Sequence, residues 1–237
     1  MKIKLMMKYK WILIFLVNLN MWIFAQNQLS RFSLKGEGSI QTIISSEAFR
    51  NTFVGEFQAG GQFVIKVHKN FYSGVGFNYA LFKTSNKFQF ISGNTSLRYD
   101  FFLRSYNPNF TLGYFMPVET ESNRPKQFGS IELRAGYSYN RYTNVELKVD
   151  SGKPAPPLEF RTAFIQPHFS YTFMVEENLG FGAYMNYTLY FSLFQPSYAT
   201  LDKYMDYSKL GNKMNMSWIA FGLHFHWYFI KVTRDFD

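Results

Sequence analysis

The chain is an alternation of apolar and polar positions with a period of two. In Trp218–Phe229, Ile219, Phe221, Leu223, Phe225, Trp227 and Phe229 form one apolar row, and Ala220, Gly222, His224 and His226 form a small or polar row between them. Successive side chains of a strand point to opposite faces, so this period predicts a strand between an apolar phase and a crowded polar one. The pattern recurs along the chain. Phe32, Leu34, Ile40 and Ile44 alternate with Ser33, Lys35, Glu37, Ser39 and Gln41, and Phe53, Phe57, Phe63, Ile65 and Val67 with Glu56, Gln58, Gln62 and Lys66. Further apolar rows run through Val75–Leu81, Leu97–Leu103, Phe110–Met116, Ile131–Tyr139, Ala163–Phe173 and Leu179–Phe191.

Turn chemistry and parity set the expected strand count. Ser105-Tyr106-Asn107-Pro108-Asn109 has the composition of a turn and divides its region into two strands. Val145, Leu147 and Val149 alternate with Asn144, Glu146 and Lys148, so Thr143–Val149 is read as a short seventh strand after a tight turn near Arg141. Closed bacterial barrels of one chain have even strand numbers. The expectation is an all-β, antiparallel, up-and-down transmembrane β-barrel of about ten strands, with eight as the alternative. Short connections near Lys69, Asn107, Arg141 and Glu176-Glu177-Asn178 alternate with mostly longer ones, the asymmetry of an outer-membrane barrel. The longest connection, 193–213, has the signals of a short helix from Thr200 to Gly211. It is expected either to meet an extracellular ligand or to pack as a lid on the barrel mouth.

Composition supports the strand reading: 21% of residues are aromatic, with 28 Phe and 17 Tyr among 237, yet mean hydropathy is only −0.18. Beyond residue 25 no apolar run approaches the roughly 20 residues of a membrane helix. Residues 1–25 read as a signal peptide: Lys2, Lys4, Lys8 and Lys10, an apolar stretch from Trp11, and Ala25 before Gln26 as a cleavage point. The barrel would then occupy 26–237. Removing those four lysines takes the net charge from +9 to +5. The remaining basic residues are scattered, which argues against nucleic acid. There is no cysteine, hence no disulfide and no lipid attachment site.

A soluble lipocalin-like barrel would turn its apolar face inward. Here Gly74, Gly76, Gly136, Gly180, Gly182 and Gly222 share the face of the charges, and the crowded concave side of a small barrel is where small residues belong. The apolar row is therefore assigned to lipid, with Phe82, Phe102, Phe115 and Phe164 breaking the rule. Lys35, Glu37, Glu56, Lys66, Arg98, Asp100, Glu132, Arg134, Glu146 and Lys148 fall on the lumen face, five of each sign, as pairing in a confined interior requires.

The signal peptide, the amphipathic strands and the aromatic end of the last strand resemble the small outer-membrane β-barrel proteins of Gram-negative bacteria, most of all the Bacteroidota-type ones. The resemblance implies an outer-membrane location, contact with membrane lipid, and recognition of Trp227 and Phe229 by the barrel-insertion machinery. This chain departs from it by running on through Ile230–Asp237.

Candidate chemistry is sparse. His168, His224 and His226 face the lumen and are candidates for a metal site, and His168 with Ser170 resembles the His-x-Ser pair of lipid A deacylases. No orienting acid follows at the next inward positions, and the histidines are expected to be hydrogen-bonded residues of the lumen. The extracellular rim offers Glu47, Glu119, Glu121, Asp150 and Glu159 without a histidine, which excludes an omptin-like protease. No phosphate, calcium or zinc motif appears, and no cofactor is expected. The function expected is a non-enzymatic envelope barrel for structure, adhesion or loop-mediated binding, its lumen plugged by ion pairs. A narrow solute channel and a lipid-acting barrel enzyme are the alternatives.

Overall fold

A computed structural model of the chain describes residues 31–85, 90–92, 95–97, 101–121, 124–144, 158–198, 201, 207–210 and 214–229. The strands are β1 (Phe32–Ser45), β2 (Phe53–His68), β3 (Phe71–Thr84), β4 (Phe90–Ser92), β5 (Thr95–Leu97), β6 (Phe102–Glu121), β7 (Arg124–Thr143), β8 (Glu159–Glu176), β9 (Leu179–Leu193) and β10 (Asn215–Tyr228). One helical turn, α1 (Glu47–Thr52), stands between β1 and β2, and the Ser46 hydroxyl caps it by accepting from the Phe49 amide at 3.3 Å. Eight strands close a barrel in the order β1-β10-β9-β8-β7-β6-β3-β2, every neighbour antiparallel, while β4 and β5 form a separate hairpin.

The count is eight, the alternative rather than the expected ten. The segment 105–109 is no turn but the middle of β6, which pairs with β3 continuously from Lys83↔Phe102 to Phe71↔Tyr114. Ser105, Asn107 and Asn109 are buried in the lumen, and Tyr106 and Pro108 point outward. A polar lumen asks for the same small polar residues that a turn does, so composition alone does not separate the two. Pro108 has no amide hydrogen to donate, and the β6–β7 pairing is interrupted at Asn107 and Pro108, resuming at Asn109↔Gly136 in the same register. Likewise the chain does not turn near Arg141. This residue lies in β7, paired with Arg104 on one side and Glu159 on the other. The expected seventh strand falls mostly outside the described residues, beyond Thr143.

Eight strands preserve the parity and sharpen the loop asymmetry. At one rim β2–β3, β6–β7 and β8–β9 are joined by two residues each, at 69–70, 122–123 and 177–178. At the first of these Lys69 adopts φ 44, the left-handed geometry of a tight hairpin. The connections at the other rim are longer, up to 194–214. Arg141 therefore sits at the long-loop end, not at the tight-turn end. A cysteine placed there in the cysteine-free chain should react with a membrane-impermeant maleimide on intact cells, and one at Asn70 should not. The reverse pattern would invert the topology.

The wall is polar inside and apolar outside. Val75, Phe77, Phe110, Leu112, Ile131, Leu133, Phe169, Phe181, Phe221, Leu223 and Phe225 are exposed on the outer face. Gln58, Gln62, Asn78, Thr111, Ser138, Gln166 and Asn186 are buried inside. A water-soluble barrel does not present so continuous an apolar surface, and this arrangement is the reverse of a lipocalin's. The lumen glycines give the interior its room. A Cβ at Gly182 would meet the Tyr171 carbonyl and the His224 ring, and one at Gly222 the Gly38 carbonyl and Ser39.

Candidate functional site

The lumen is filled in layers, and the central one is ionic. β1 contributes Lys35 and Glu37, and β7 contributes Glu132 and Arg134, each pair at inward positions two residues apart. Arg134 donates from Nη1 to Glu37 Oε2 at 2.7 Å and from Nη2 to Glu37 Oε1 at 2.5 Å. It donates to Glu132 Oε2 from Nε at 2.9 Å and from Nη2 at 2.6 Å. Lys35 Nζ donates to Glu132 Oε1 at 2.6 Å and lies 3.3 Å from Glu37 Oε1. The Tyr72 hydroxyl donates to Glu132 Oε1 at 2.8 Å, and Gln62, with its amide oxygen turned to Arg134, accepts from the guanidinium. Two cations and two anions, all buried, thus close a network across the barrel's full width. Desolvated charges persist only when paired and hydrogen-bonded in this way.

His168 belongs to this layer. Its Nε2 is 3.1 Å from Lys35 Nζ and its ring stacks on Tyr184 at 4.9 Å. An ammonium has only donors, so Nε2 must present its lone pair and the imidazole proton is assigned to Nδ1. Ser170 exchanges a hydrogen bond with Ser130 at 2.6 Å and accepts from Lys35 at 3.5 Å. No hydrogen bond joins His168 to Ser170 among the described residues, and the nitrogen that would act as a base already faces Lys35. The arrangement offers no activated nucleophile.

The three histidines do not converge. His224 Nε2 pairs with Thr172 at 2.9 Å, and His226 pairs with Ser33 at 2.8 Å and Tyr228 at 3.1 Å. Ligand atoms of Glu37, Glu132 and His168 do approach within 4.8 Å of one another. Lys35 and Arg134 already neutralise that group, and a divalent ion would have to displace a fixed ammonium to enter. Of the ten expected lumen charges, Lys35, Glu37, Glu132 and Arg134 meet. Glu56 does not: a bulge between Gly55 and Phe57 leaves it exposed and swings Phe53 into the lumen. Lys66 is half-buried near the tight-turn rim. Arg98, Asp100, Glu146 and Lys148 lie outside the described residues. Trp227 and Phe229 are exposed on the outer face at the end of the final strand.

Rings close the lumen above and below the charges. Toward the tight turns, Tyr72 stacks on Phe115 at 4.1 Å, Phe115 meets Phe128 edge-on at 5.3 Å, and His226 stacks on Tyr228 at 4.3 Å. Toward the long loops an amide and hydroxyl layer comes first, with Asn78 donating to Gln166 at 3.1 Å and Tyr190 to Asn107 at 2.8 Å. Above it lies an apolar core of Phe49, Phe53, Phe82, Phe164, Phe194 and Trp218 with their neighbours. The described part of the long connection packs here: Phe194 and Leu201 are buried, and Tyr198, Tyr207 and Leu210 rest against the core. These described residues pack at the barrel mouth as in the lid alternative for 193–213. The expected helix there falls largely outside the described residues. Three of the four phenylalanines that broke the alternation, Phe82, Phe115 and Phe164, are members of these ring layers, so their irregular phase reflects packing inside the barrel.

No family model matches the chain, and no curated protein does. Solved structures of similar shape exist. Neisserial surface protein A superposes with a TM-score of 0.49 at 14% identity, over 84% of this chain and 98% of that one. The outer membrane protein OprG of Pseudomonas aeruginosa gives 0.45 at 11%, over 86% and 99%. The attachment invasion locus protein Ail of Yersinia pestis gives 0.40 at 10%, over 84% and 99%. At these identities the likeness concerns barrel shape alone.

Proposed function

We propose that this chain is an integral outer-membrane β-barrel whose sealed lumen is a rigid anchor for its long loops, giving it a structural, adhesive or loop-mediated binding role at the cell surface. The apolar exterior and the short-turn, long-loop asymmetry support the membrane assignment. The observation that carries the role is the buried network of Lys35, Glu37, Glu132 and Arg134, with rings on both sides of it. Solutes need a hydrated path, and eight-stranded barrels have an interior just wide enough for side chains to fill. The engaged Ser170 argues against a lipid hydrolase, and the occupied carboxylates against a resident metal.

On this reading the signal peptide is removed near Ala25 and Trp227 and Phe229 present the barrel to its insertion machinery. The protein should fractionate with outer membranes, its N-terminus near Gln26. Inserted into planar bilayers, purified protein should give no sustained conductance steps. Large, stable, ion-conducting steps from the unmodified protein would overturn the sealed-lumen reading and make the channel the primary one.

A further inference from the structure

Cations crowd one sector of the outer wall at the long-loop end. In the register of β3, β6, β7 and β8, Tyr79, Tyr106 and Tyr139 form a cross-strand row on the outer face, with ring centroids 5.4 and 6.1 Å apart. One row nearer the loops run Leu81, Arg104, Arg141 and Glu159. Lys83 lies one outward position beyond Leu81, and Arg161, paired with Tyr139, holds its guanidinium 5.6 Å from that ring's centroid. Below the tyrosines the outer face is apolar, with Phe77, Phe110 and Leu133. Tyrosine girdles mark the edge of the hydrocarbon, so the arginines stand at headgroup level.

Arg104 and Arg141 are direct cross-strand partners on the same face. Like charges at such a position, with Cβ atoms about 4.5–5.5 Å apart, repel. Glu56 is exposed at the β2 bulge beside Leu81, and the carboxylate ion-paired within the row is Glu159, which is 3.5 Å from Arg141 Nε and half-exposed. Arg104 is not relieved by it. Its Nε is buried and has no hydrogen-bond partner among the described residues. The rest of that rim carries no cluster of cations among the described residues: β9, β10, β1 and β2 present Tyr187, Phe191, Ile219, Thr42, Ile44 and Val54 outward, with Glu56 exposed at the β2 bulge. The charge is thus concentrated on one side, and it lies where lipid headgroups are.

We propose that Arg104 and Arg141, flanked by Lys83 and Arg161, form a binding site for the phosphate group of an outer-leaflet lipid, with the tyrosine row as the floor for its apolar root. Two guanidinium forks on adjacent strands converge on one anion, which removes their repulsion. The chemistry fits a phosphomonoester on a glycolipid or a phosphodiester of a glycerophospholipid.

The inference rests on the membrane reading above, and the test separates the two. Refolded protein and the Arg104→Gln/Arg141→Gln double variant are reconstituted into phosphatidylcholine nanodiscs containing either lipid A or phosphatidylglycerol, and lipids retained after detergent extraction are counted by native mass spectrometry. Retention of lipid A, of phosphatidylglycerol or of both by the natural sequence, falling about tenfold in the double variant, supports the site and identifies its source. In neutral detergent without phospholipid the single variant Arg104→Gln should melt no lower than the natural sequence, because a repulsion is removed; adding lipid A should then raise the melting temperature of the natural sequence more. Equal retention by both proteins, or a large loss of stability in neutral detergent, would overturn the phosphate site while leaving the barrel in the membrane. Failure of the natural sequence to insert into nanodiscs would overturn the membrane reading and this site with it.

Discussion

Replacing Arg134 with alanine is expected to cost the barrel about 3–5 kcal/mol of stability, the penalty of leaving buried charge uncompensated. The guanidinium is wholly buried and makes four hydrogen bonds to Glu37 and Glu132. Without it two carboxylates face each other across a dry lumen with Lys35 as their remaining cation. Urea unfolding of protein inserted in phosphatidylcholine vesicles measures the loss. A double variant, Arg134→Met with Glu132→Gln, removes one charge of each sign and leaves Lys35 facing Glu37, already 3.3 Å away. It should be more stable than Arg134→Met alone, with a coupling energy of about 0.5–3 kcal/mol. A single-variant loss under about 1 kcal/mol, the scale of an exposed pair, would mean that water reaches the cluster, and the sealed-lumen reading would fall.

Part of this interior was legible in the alternation itself, although Phe101 and Leu103, read as part of a lipid-facing row, are buried in the core. Period two placed Lys35, Glu37, Glu132, Arg134 and His168 on the inner face, and parity within each strand was enough to do so. Which of them would meet was not legible, because that depends on barrel closure and on the stagger between β1 and β7, strands separated by about a hundred residues of sequence. The bulge at Glu56 shows the limit of counting by twos: one extra residue sent a glutamate outward and Phe53 inward. The count of eight stood only as the alternative to ten for a different reason. Asparagine, serine and proline mark turns in water because their side chains compete for backbone hydrogen bonds. In β6 the neighbouring strands hold the backbone, and Ser105, Asn107 and Asn109 supply lumen polarity instead. The arginine row on the outer wall was hidden by that same error, since Arg104 and Arg141 become neighbours only when β6 and β7 each run unbroken.

Replacing Trp218 with alanine is expected to lower stability by about 3–5 kcal/mol and, more tellingly, to release the long loop. Trp218 is the junction between wall and lid. Its indole meets Phe82 edge-on at 5.0 Å and Tyr190 at 4.8 Å, and Nε1 donates to Gln58 Oε1 at 3.3 Å. Phe194 and Leu201 of the long connection belong to the same buried core. Large-to-small substitution leaves a cavity that a closed barrel cannot collapse to fill, because its eight backbones are fixed by their ladders. The ring cluster must then loosen where no strand ladder holds it, which is at Phe194 and Leu201. Limited proteolysis of vesicle-inserted protein should therefore cut within 194–214 at much lower protease concentration in Trp218→Ala than in the natural sequence, while the ionic layer keeps the lumen closed and bilayer conductance stays absent. Trp218→Phe keeps a ring and loses the indole donor, a cost of about 1 kcal/mol, and should leave the loop protected. A loop no more susceptible in Trp218→Ala than in the natural sequence would show that it is held by something other than this core, and the lumen would no longer be its anchor.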